Sequence, residues 1–416
     1  MNYKYFDAID TVLENGLRVV TIKRDTQIAS IQCGVKVGAF YENSDERGAA
    51  HFIEHMLFKG TKNRDNEKLN NDLEFLGGEY NAYTDYAATV YSITALSEEI
   101  GRAVELLSDM LINPAFPEEE INKERDVILA EYSSISDDVE DYSFRMVNFY
   151  GFEQSPLKYD VIGTEETIQS FTRERILSFY KTYYMPNNAC IVVVSGLEHE
   201  EVLKIIKQYF DVWKPDIQHT PKFITEKNKK RKKTTYKSNI EQSTIIYLYT
   251  FNDLPKDKEL ALRVLNHKFG ESANSILFRE LREKRGLAYD VYTHLDTSNH
   301  IKTLYIYTAV KDVYIKEAMN TIDYCIEQLK DGKTSLDEGM LVLMKKVLKT
   351  AVASTLEDST DLANYVLHQC LDGEVIDQFI EDMKEIEKIS KDEIYEVAKD
   401  VFKNPTIHVL KAKNKG

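Results

Sequence analysis

Residues 47–58 read Arg47-Gly-Ala-Ala-His-Phe-Ile-Glu-His-Met-Leu-Phe58, and this stretch predicts both a helix and a chemical site. Positions i, i+3 and i+4 share one face of a helix, so His51, Glu54 and His55 converge on a volume a few ångströms across. Neutral imidazole is a good zinc ligand, and a carboxylate beside the metal can accept a proton from water that the metal activates. The stretch therefore predicts a metal site.

The neighbours of these three residues support that interpretation. Phe52, Ile53, Met56, Leu57 and Phe58 surround them, which predicts a helix that is largely buried rather than one that shows two histidines to solvent. Buried imidazole and carboxylate groups need partners. The spacing His-x-x-Glu-His is also the inverted form of the zincin motif.

A catalytic zinc usually takes three protein ligands, so a third ligand must come from elsewhere in the chain. The best candidate segment is 117–132, an amphipathic pattern that begins at Pro117 with acidic residues in its first turn. Glu124 and Glu131 are seven residues apart, which places them two turns apart on one helix face. From the spacing alone they are either solvated surface acids or groups that face the metal.

With these motifs the chain resembles the pitrilysin/insulinase family of zinc peptidases, and within it the small bacterial homologues of the mitochondrial processing peptidase. The likeness is strongest in residues 51–61 and covers nearly the whole chain. It implies one zinc ion per chain. It also implies the role of each candidate residue: zinc ligands His51, His55 and Glu131, general base Glu54, and Glu124 as a support outside the coordination sphere.

Two further stretches match the family. Residues 77–84 read Gly-Gly-Glu-Tyr-Asn-Ala-Tyr-Thr, and the resemblance implies that Asn81 and Ala82 lie on an edge strand to which an extended substrate adds as another strand. Read alone, the segment is an ordinary hairpin. In residues 278–289, Arg282 and Tyr289 match a family pair that reaches the substrate from the C-terminal half. Such groups can stabilise a developing oxyanion and hold a carbonyl.

The chain shows a weak internal duplication. In the first half the sequence predicts a hairpin turn at Asn15-Gly16, a buried central strand at 190–195, and helices near 47–58, 66–76, 98–112, 117–137, 165–182 and 198–210. Strand, helix and strand patterns at 244–250, 258–269 and 287–308 repeat the order of strands and helices in the first half. Together with the resemblance this predicts an α+β protein with two related domains, each an antiparallel sheet covered by helices. We expect a zinc-binding domain at 1–215, a basic linker at 216–237, and a related domain at 238–416 that supplies Arg282 and Tyr289.

Composition restricts the partners and the compartment. The 416 residues carry a net charge of −16, which disfavours nucleic-acid binding. Four widely spaced cysteines read as reduced thiols. No apolar run is long enough to span a bilayer, and residues 1–7 lack the features of a signal peptide. We therefore expect a cytoplasmic protein that works without membrane or nucleic acid.

The predicted function is a zinc-dependent endopeptidase that hydrolyses extended or unfolded peptides. Some family members divide the zinc site and the Arg–Tyr pair between subunits; this chain has both, which favours a homodimer. The alternative is a non-catalytic assembly subunit, which in the family lacks motif residues that this chain retains. A two-histidine, one-carboxylate iron oxygenase is a third hypothesis, and metal analysis would distinguish it.

Overall fold

The computed structural model describes residues 6–413, which divide into two compact units. The described residues of the first unit are 6–132, 160–222 and 353–377, and those of the second are 133–159, 223–352 and 378–413. Residues 1–5, which hold most of the stretch used to predict that no signal peptide is present, lie outside the described part.

A mixed sheet forms the centre of the first unit. Its strands lie in the order β1-β2-β6-β3-β5-β4, and all neighbours are antiparallel except β2 and β6. As predicted, β6 is central, and every one of its residues is buried. The strands are β1 (Asp7–Val12), β2 (Arg18–Lys23), β3 (Ile28–Val35), β4 (Glu79–Thr84), β5 (Thr89–Leu96) and β6 (Ala189–Ser195).

The second unit contains a five-stranded sheet of order β7-β11-β8-β10-β9, in which only β7 and β11 are parallel. Removing β1 from the first sheet leaves the same order and the same single parallel pair. The predicted α+β class with two related domains is thus confirmed. The strands are β7 (Arg231–Lys237), β8 (Ser243–Thr250), β9 (Ala288–Asp296), β10 (Thr303–Val310) and β11 (Thr406–Ala412).

Helices cover both sheets. The first unit contains α1 (Ala49–Leu57), α2 (Asn66–Glu74), α3 (Ile100–Ile112), α6 (Glu165–Ser170), α7 (Arg173–Tyr183), α8 (His199–Phe210) and α12 (Ser359–Asp372). The second contains α5 (Val139–Gly151), α9 (Glu259–Asn266), α10 (Ile315–Lys330), α13 (Gln378–Lys388) and α14 (Lys391–Val401). Two long helices, α4 (Glu118–Asp137) and α11 (Glu338–Glu357), contribute residues to both units. None of the helices within residues 6–413 has the length and apolar composition of a membrane span.

Each unit includes a helix from the other half of the sequence. Helix α12 packs Leu362, Val366 and Leu367 into the core of the first sheet. Helix α5 packs on the second sheet, where the hydroxyl groups of Ser143 and Thr244 are 2.6 Å apart. The predicted domains, with boundaries 1–215, 216–237 and 238–416, are continuous stretches of the chain. Each compact unit, by contrast, is built from three separate segments. The last part of the predicted linker forms strand β7.

Candidate metal centre

Helix α1 places the His-x-x-Glu-His residues on its one polar face. Its other residues, among them Phe52, Ile53 and Met56, are fully buried, so the helix cannot rotate without exposing its apolar face. The helix begins after Gly48, whose φ of +89° and closeness to the Ile162 carbonyl leave no room for a side chain. The orientation of the site is thus set by packing around α1.

Glu42 anchors the N-terminus of α1, a role that sequence reasoning did not identify. Its carboxylate accepts hydrogen bonds from the Gly48 N–H at 2.8 Å and from the Ala50 N–H at 2.9 Å. A carboxylate in this position satisfies free N–H groups and interacts favourably with the helix dipole. Burial raises the pKa of Glu42 to about 7, and the two hydrogen bonds oppose that rise. No motif in the sequence points to this contact.

Glu131 of α4 lies opposite the two histidines. Its Oε1 is 3.7 Å from His51 Nε2, and its Oε2 is 3.6 Å from His55 Nε2. These distances exceed that of a good hydrogen bond. Ligands held about 2.1 Å from a tetrahedral zinc ion are about 3.4 Å from one another, so the three groups fit such an ion. Within residues 6–413 they form the one such His/Cys/Asp/Glu group.

A hydrogen bond from the second ring nitrogen orients His55. His55 Nδ1 is 3.0 Å from Glu124 Oε2, and the other oxygen of Glu124 is 2.6 Å from Lys59 Nζ. An ionised carboxylate only accepts, so the proton of the neutral ring lies on Nδ1 and the lone pair of Nε2 is free to bind a metal. Burial raises the pKa of Glu124, but the bonds from His55 and Lys59 outweigh it, and the net pKa is lowered.

The two histidines differ in electrostatic environment. Burial lowers the pKa of His51 to about 3, and the neighbouring His55 lowers it further. Burial also lowers the pKa of His55, but its bond to Glu124 and the charges of nearby carboxylates reverse the direction, so the net pKa is raised. His51 Nδ1 is buried and has no hydrogen-bond partner among the described atoms. Burial and the neighbouring His55 therefore favour the neutral form of the His51 imidazole, which is the form that can bind a metal.

Glu54 lies on the same face but takes no part in the His51–His55–Glu131 group. Burial raises its pKa, while a hydrogen bond from Thr84 and the charge of His55 oppose the rise. Thr84 Oγ1 donates to Glu54 Oε2 at 2.6 Å. Thr84 ends the segment 77–84, and the sequence alone assigns it no role. The available signal was the alternation of β4, which turns Ala82 and Thr84 to the same side of the sheet.

Asn81 and Ala82 lie in β4, at the edge of the first sheet. The N–H of Ala82 donates to Asn81 Oδ1 at 2.9 Å. Tyr83 shares a face of the strand with Asn81, and its hydroxyl group donates to Asn364 of α12 at 2.7 Å and lies 2.7 Å from His368 Nε2. The strand is thus paired with β5 along one edge and held by α12 through Tyr83.

Arg282 and Tyr289 belong to the second unit. Tyr289 is near the start of the edge strand β9 and is 72% exposed. The guanidinium carbon of Arg282 is 5.9 Å from the centroid of the Tyr289 ring and 5.1 Å from that of Phe278. Cation–π contacts of this kind hold the pair together while leaving the Tyr289 ring accessible.

Two protein-family profiles match this chain. Residues 18–165 match the profile described as Insulinase (Peptidase family M16), and residues 170–341 match that described as Peptidase M16 inactive domain. The chain is 31% identical to an uncharacterized zinc protease of Rickettsia felis, over 80% of this chain and 83% of the relative.

Two other similarities extend the comparison. The chain is 33% identical to a probable mitochondrial-processing peptidase subunit beta of Arabidopsis thaliana, over 51% of this chain and 40% of that one. A crystal structure of a protease from Helicobacter pylori has the same fold, with a TM-score of 0.91 and 23% identity, covering 98% of this chain and 99% of that chain.

Proposed function

The chain belongs to the insulinase family, peptidase family M16, and from this premise we propose that it is a zinc-dependent endopeptidase acting on extended or unfolded peptides. One observation carries the proposal: the ligand atoms of His51, His55 and Glu131 all lie within 4.8 Å of one another, with Glu54 on the same helix face. The names of the relatives support the peptidase role and the choice of zinc.

His51, His55 and Glu131 would hold the ion. Zinc bound there supplies Lewis acidity, which lowers the pKa of water and polarises a substrate carbonyl group. Glu124 keeps His55 in the tautomer whose Nε2 can bind a metal, and Lys59 keeps Glu124 ionised. Packing keeps His51 neutral and ready to coordinate.

Glu54 acts as the proton carrier in this proposal. It takes a proton from the attacking water, whose oxygen forms a bond to the carbonyl carbon, and passes that proton to the leaving amine as the C–N bond breaks. One product therefore gains the hydroxyl group of the water and the other gains its hydrogen. A base works best when its pKa lies near the working pH, and burial raises the pKa of Glu54 in that direction. The Thr84 hydroxyl group fixes the carboxylate rotamer and favours its ionised form.

Thr84→Val is expected to move the acidic limb of the pH–rate profile to higher pH. Thr84 stabilises ionised Glu54, so its loss raises the pKa of Glu54 further, and a larger fraction of this base is protonated at any given acidic pH. A hydrogen bond to a charged group contributes about 1.5–3 kcal/mol, so the rate below the limb falls about tenfold or more. The measurement is kcat/KM against pH.

Thr94→Val, on the neighbouring strand β5, is the matched control, because it removes a threonine hydroxyl group of the same sheet that does not contact Glu54. An acidic limb that stays in place in Thr84→Val, or moves equally in the control, would contradict the role given to Thr84.

The substrate would bind by adding a strand to β4. Main-chain hydrogen bonds to an open edge give affinity without a fixed sequence, which suits unfolded peptides. The Asn81 side chain already accepts from the Ala82 N–H, so a substrate carbonyl that pairs with this N–H must replace that contact. In this proposal Asn81 and Ala82 bind the backbone of the substrate rather than its side chains.

Arg282 and Tyr289 would also contact the substrate. A tyrosine hydroxyl group can donate to a developing oxyanion, and a guanidinium group can hold a carbonyl. Their mutual cation–π contact limits the positions that the two side chains sample. This role rests on their match to the family pattern and on the exposure of Tyr289.

Tyr289→Phe is expected to lower kcat about a hundredfold, the effect of removing one oxyanion donor, while zinc content stays unchanged. The ring remains, so the contact with Arg282 is kept. Tyr324→Phe is the control, because it removes the hydroxyl group of another exposed tyrosine of the second unit. An unchanged kcat would remove Tyr289 from the mechanism, and lost zinc would indicate a structural effect instead.

Two further proposals concern the working state of the protein. The presence of both the metal residues and the Arg282–Tyr289 pair in one chain favours a homodimer over a heterodimer with divided roles, and mass measurement in solution tests it. The cysteines Cys33, Cys190, Cys325 and Cys370 are free and buried, which supports a reducing, cytoplasmic location.

A peptide library tests the proposed function directly. The purified protein is incubated with mixed unstructured peptides, with and without a chelator, and the cuts are read by mass spectrometry. Chelator-sensitive cleavage that zinc restores is expected. Bound zinc without any cleavage would contradict the proposal and favour the non-catalytic assembly role. Metal analysis that finds iron rather than zinc in the isolated protein would favour the oxygenase class of metal site.

A further inference from the structure

A concave site lies in the second unit, and its lining includes none of the residues to which a role was assigned above. It is a cavity of about 270 Å³ between residues 268–284, helix α10 and the segment that follows α10. Its charged lining consists of Lys268, Arg279, Glu280, Lys284 and Lys333. Four cations face one acid here, although the whole chain has a net charge of −16.

The one acid in this lining is already neutralised. Glu280 Oε1 is 2.5 Å from Lys284 Nζ, and its Oε2 is 2.5 Å from a nitrogen of Arg285. Lys333 is paired with Asp331 at 2.7 Å. The remaining cations, Lys268 and Arg279, form no salt bridge within 4.0 Å anywhere in residues 6–413. The cavity therefore offers two positive charges that the protein leaves uncompensated.

The same two cations repel each other. Burial lowers the pKa of Lys268, and the charge of Arg279 lowers it further, against a smaller opposite effect of Asp337. Lys268 Nζ donates to the Asn274 carbonyl at 3.2 Å, which holds it in place. Repulsion between two nearby positive charges raises the free energy of the protein. An anion bound between them would offset that repulsion.

Two π-helical turns fix the backbone positions of these cations. Lys268 lies in a π-helical turn, His267–Glu271, and Arg279 in a second one, Phe278–Glu283. Each turn has a hydrogen bond between residues five apart, at 3.0 and 2.9 Å. Phe269 and Leu281 are fully buried beside them and anchor the turns in the core. Isolated π-helical turns are rare and occur frequently at functional sites.

We propose that this cavity binds a small phosphate-bearing organic molecule. A phosphate ester carries close to two negative charges near neutral pH, which matches the two uncompensated cations, whereas a carboxylate matches only one. The hydroxyl groups of Thr334 and Ser335 supply further donors at the rim, and Ile276 and Met340 give an apolar wall for the organic part. The volume limits the ligand to about the size of a mononucleotide.

Calorimetric titration of the full-length, zinc-loaded protein tests this proposal without any peptidase assay. The probes are AMP and inorganic phosphate, each against a chloride blank of equal ionic strength. We expect AMP to bind with one site per chain, and Lys268→Gln and Arg279→Gln each to weaken binding at least tenfold. Tighter binding of AMP than of phosphate assigns the ester, the reverse order assigns the free ion, and both support phosphate recognition.

Lys316→Gln is the matched control, since it removes one exposed positive charge from α10 at a position outside the cavity. Absence of saturable AMP and phosphate binding to the wild-type protein would overturn the proposal. So would an equal loss of affinity in the Lys316 control, which would indicate attraction to overall charge. Thermal unfolding without ligand should show both cavity variants to be at least as stable as the wild type, because each substitution removes a repulsion between like charges.

Discussion

Replacing Glu54 with glutamine is expected to lower the rate of peptide hydrolysis by about a hundredfold to ten-thousandfold without loss of zinc. Glutamine has nearly the same shape and can still contact the Thr84 hydroxyl group, but its amide cannot accept a proton from water. General base catalysis contributes a factor of this size. The metal group His51–His55–Glu131 does not include Glu54, so zinc content should be unchanged.

The measurement combines steady-state rates with metal analysis of the same samples. Glu67→Gln on α2 is the control, because it makes the same chemical change at an exposed position of the same unit. Activity in Glu54→Gln within a few-fold of the wild type would exclude Glu54 as the base. Lost zinc in that variant would mean that Glu54 contributes to metal binding.

Glu131→Gln is expected to weaken zinc binding by about two orders of magnitude. Zinc binds to complete protein sites with about 10–16 kcal/mol, or about 3 kcal/mol for each of four ligands, and a neutral amide oxygen is a poorer ligand than a carboxylate. Glu131 also brings the only negative charge among the three candidate ligands. Competition with a chromogenic chelator gives the zinc affinity, and activity should return at high zinc.

Glu124→Gln provides a graded comparison on the same helix. The residue contacts His55 but is not one of the converging ligands, and loss of such an orienting partner usually costs about 10–100-fold in metal affinity. We therefore expect zinc binding in the order wild type, Glu124→Gln, Glu131→Gln. Full zinc affinity in Glu131→Gln would refute the role of Glu131 as a ligand. A larger loss of zinc affinity in Glu124→Gln than in Glu131→Gln would indicate that Glu124 is the ligand and Glu131 the supporting residue.

The structure contains the short-range features that the local sequence patterns predict. The predicted helix at 47–58 appears as α1 at Ala49–Leu57, and the predicted hairpin near Asn15 joins β1 to β2 with Gly16 at a φ of +85°. These features depend on residues within one turn of helix or one tight turn, so their spacing contains the information.

Other predictions were wrong in detail. The single helix expected near 165–182 is divided into α6 and α7, because Thr172 takes an extended conformation and accepts a hydrogen bond from the Arg175 N–H. This is an N-cap that the continuous periodicity hides. The helix expected from Lys258 to Phe269 changes at His267 into a π-helical turn. Helix α5 was not anticipated, although Asp138 caps its start.

The sequence by itself determined which side chains share one face of α1, because helical periodicity is a property of neighbours along the chain. It also placed Glu124 and Glu131 on one face of α4. Only the tertiary structure decided that α4 faces α1, that Thr84 contacts Glu54, and that Lys59 and His55 share Glu124. These contacts join elements far apart in sequence, and nothing local specifies such a pairing.

The same reason explains the exchange of helices between the two units. Both α5 and α12 have apolar faces. An apolar face indicates that a helix will be buried, but it does not indicate which sheet will bury it. The choice of sheet depends on complementary shape and volume. Leu362 and Val366 of α12 fit the first sheet, and α5 fits the second. Those surfaces exist only once the strands of each sheet have assembled.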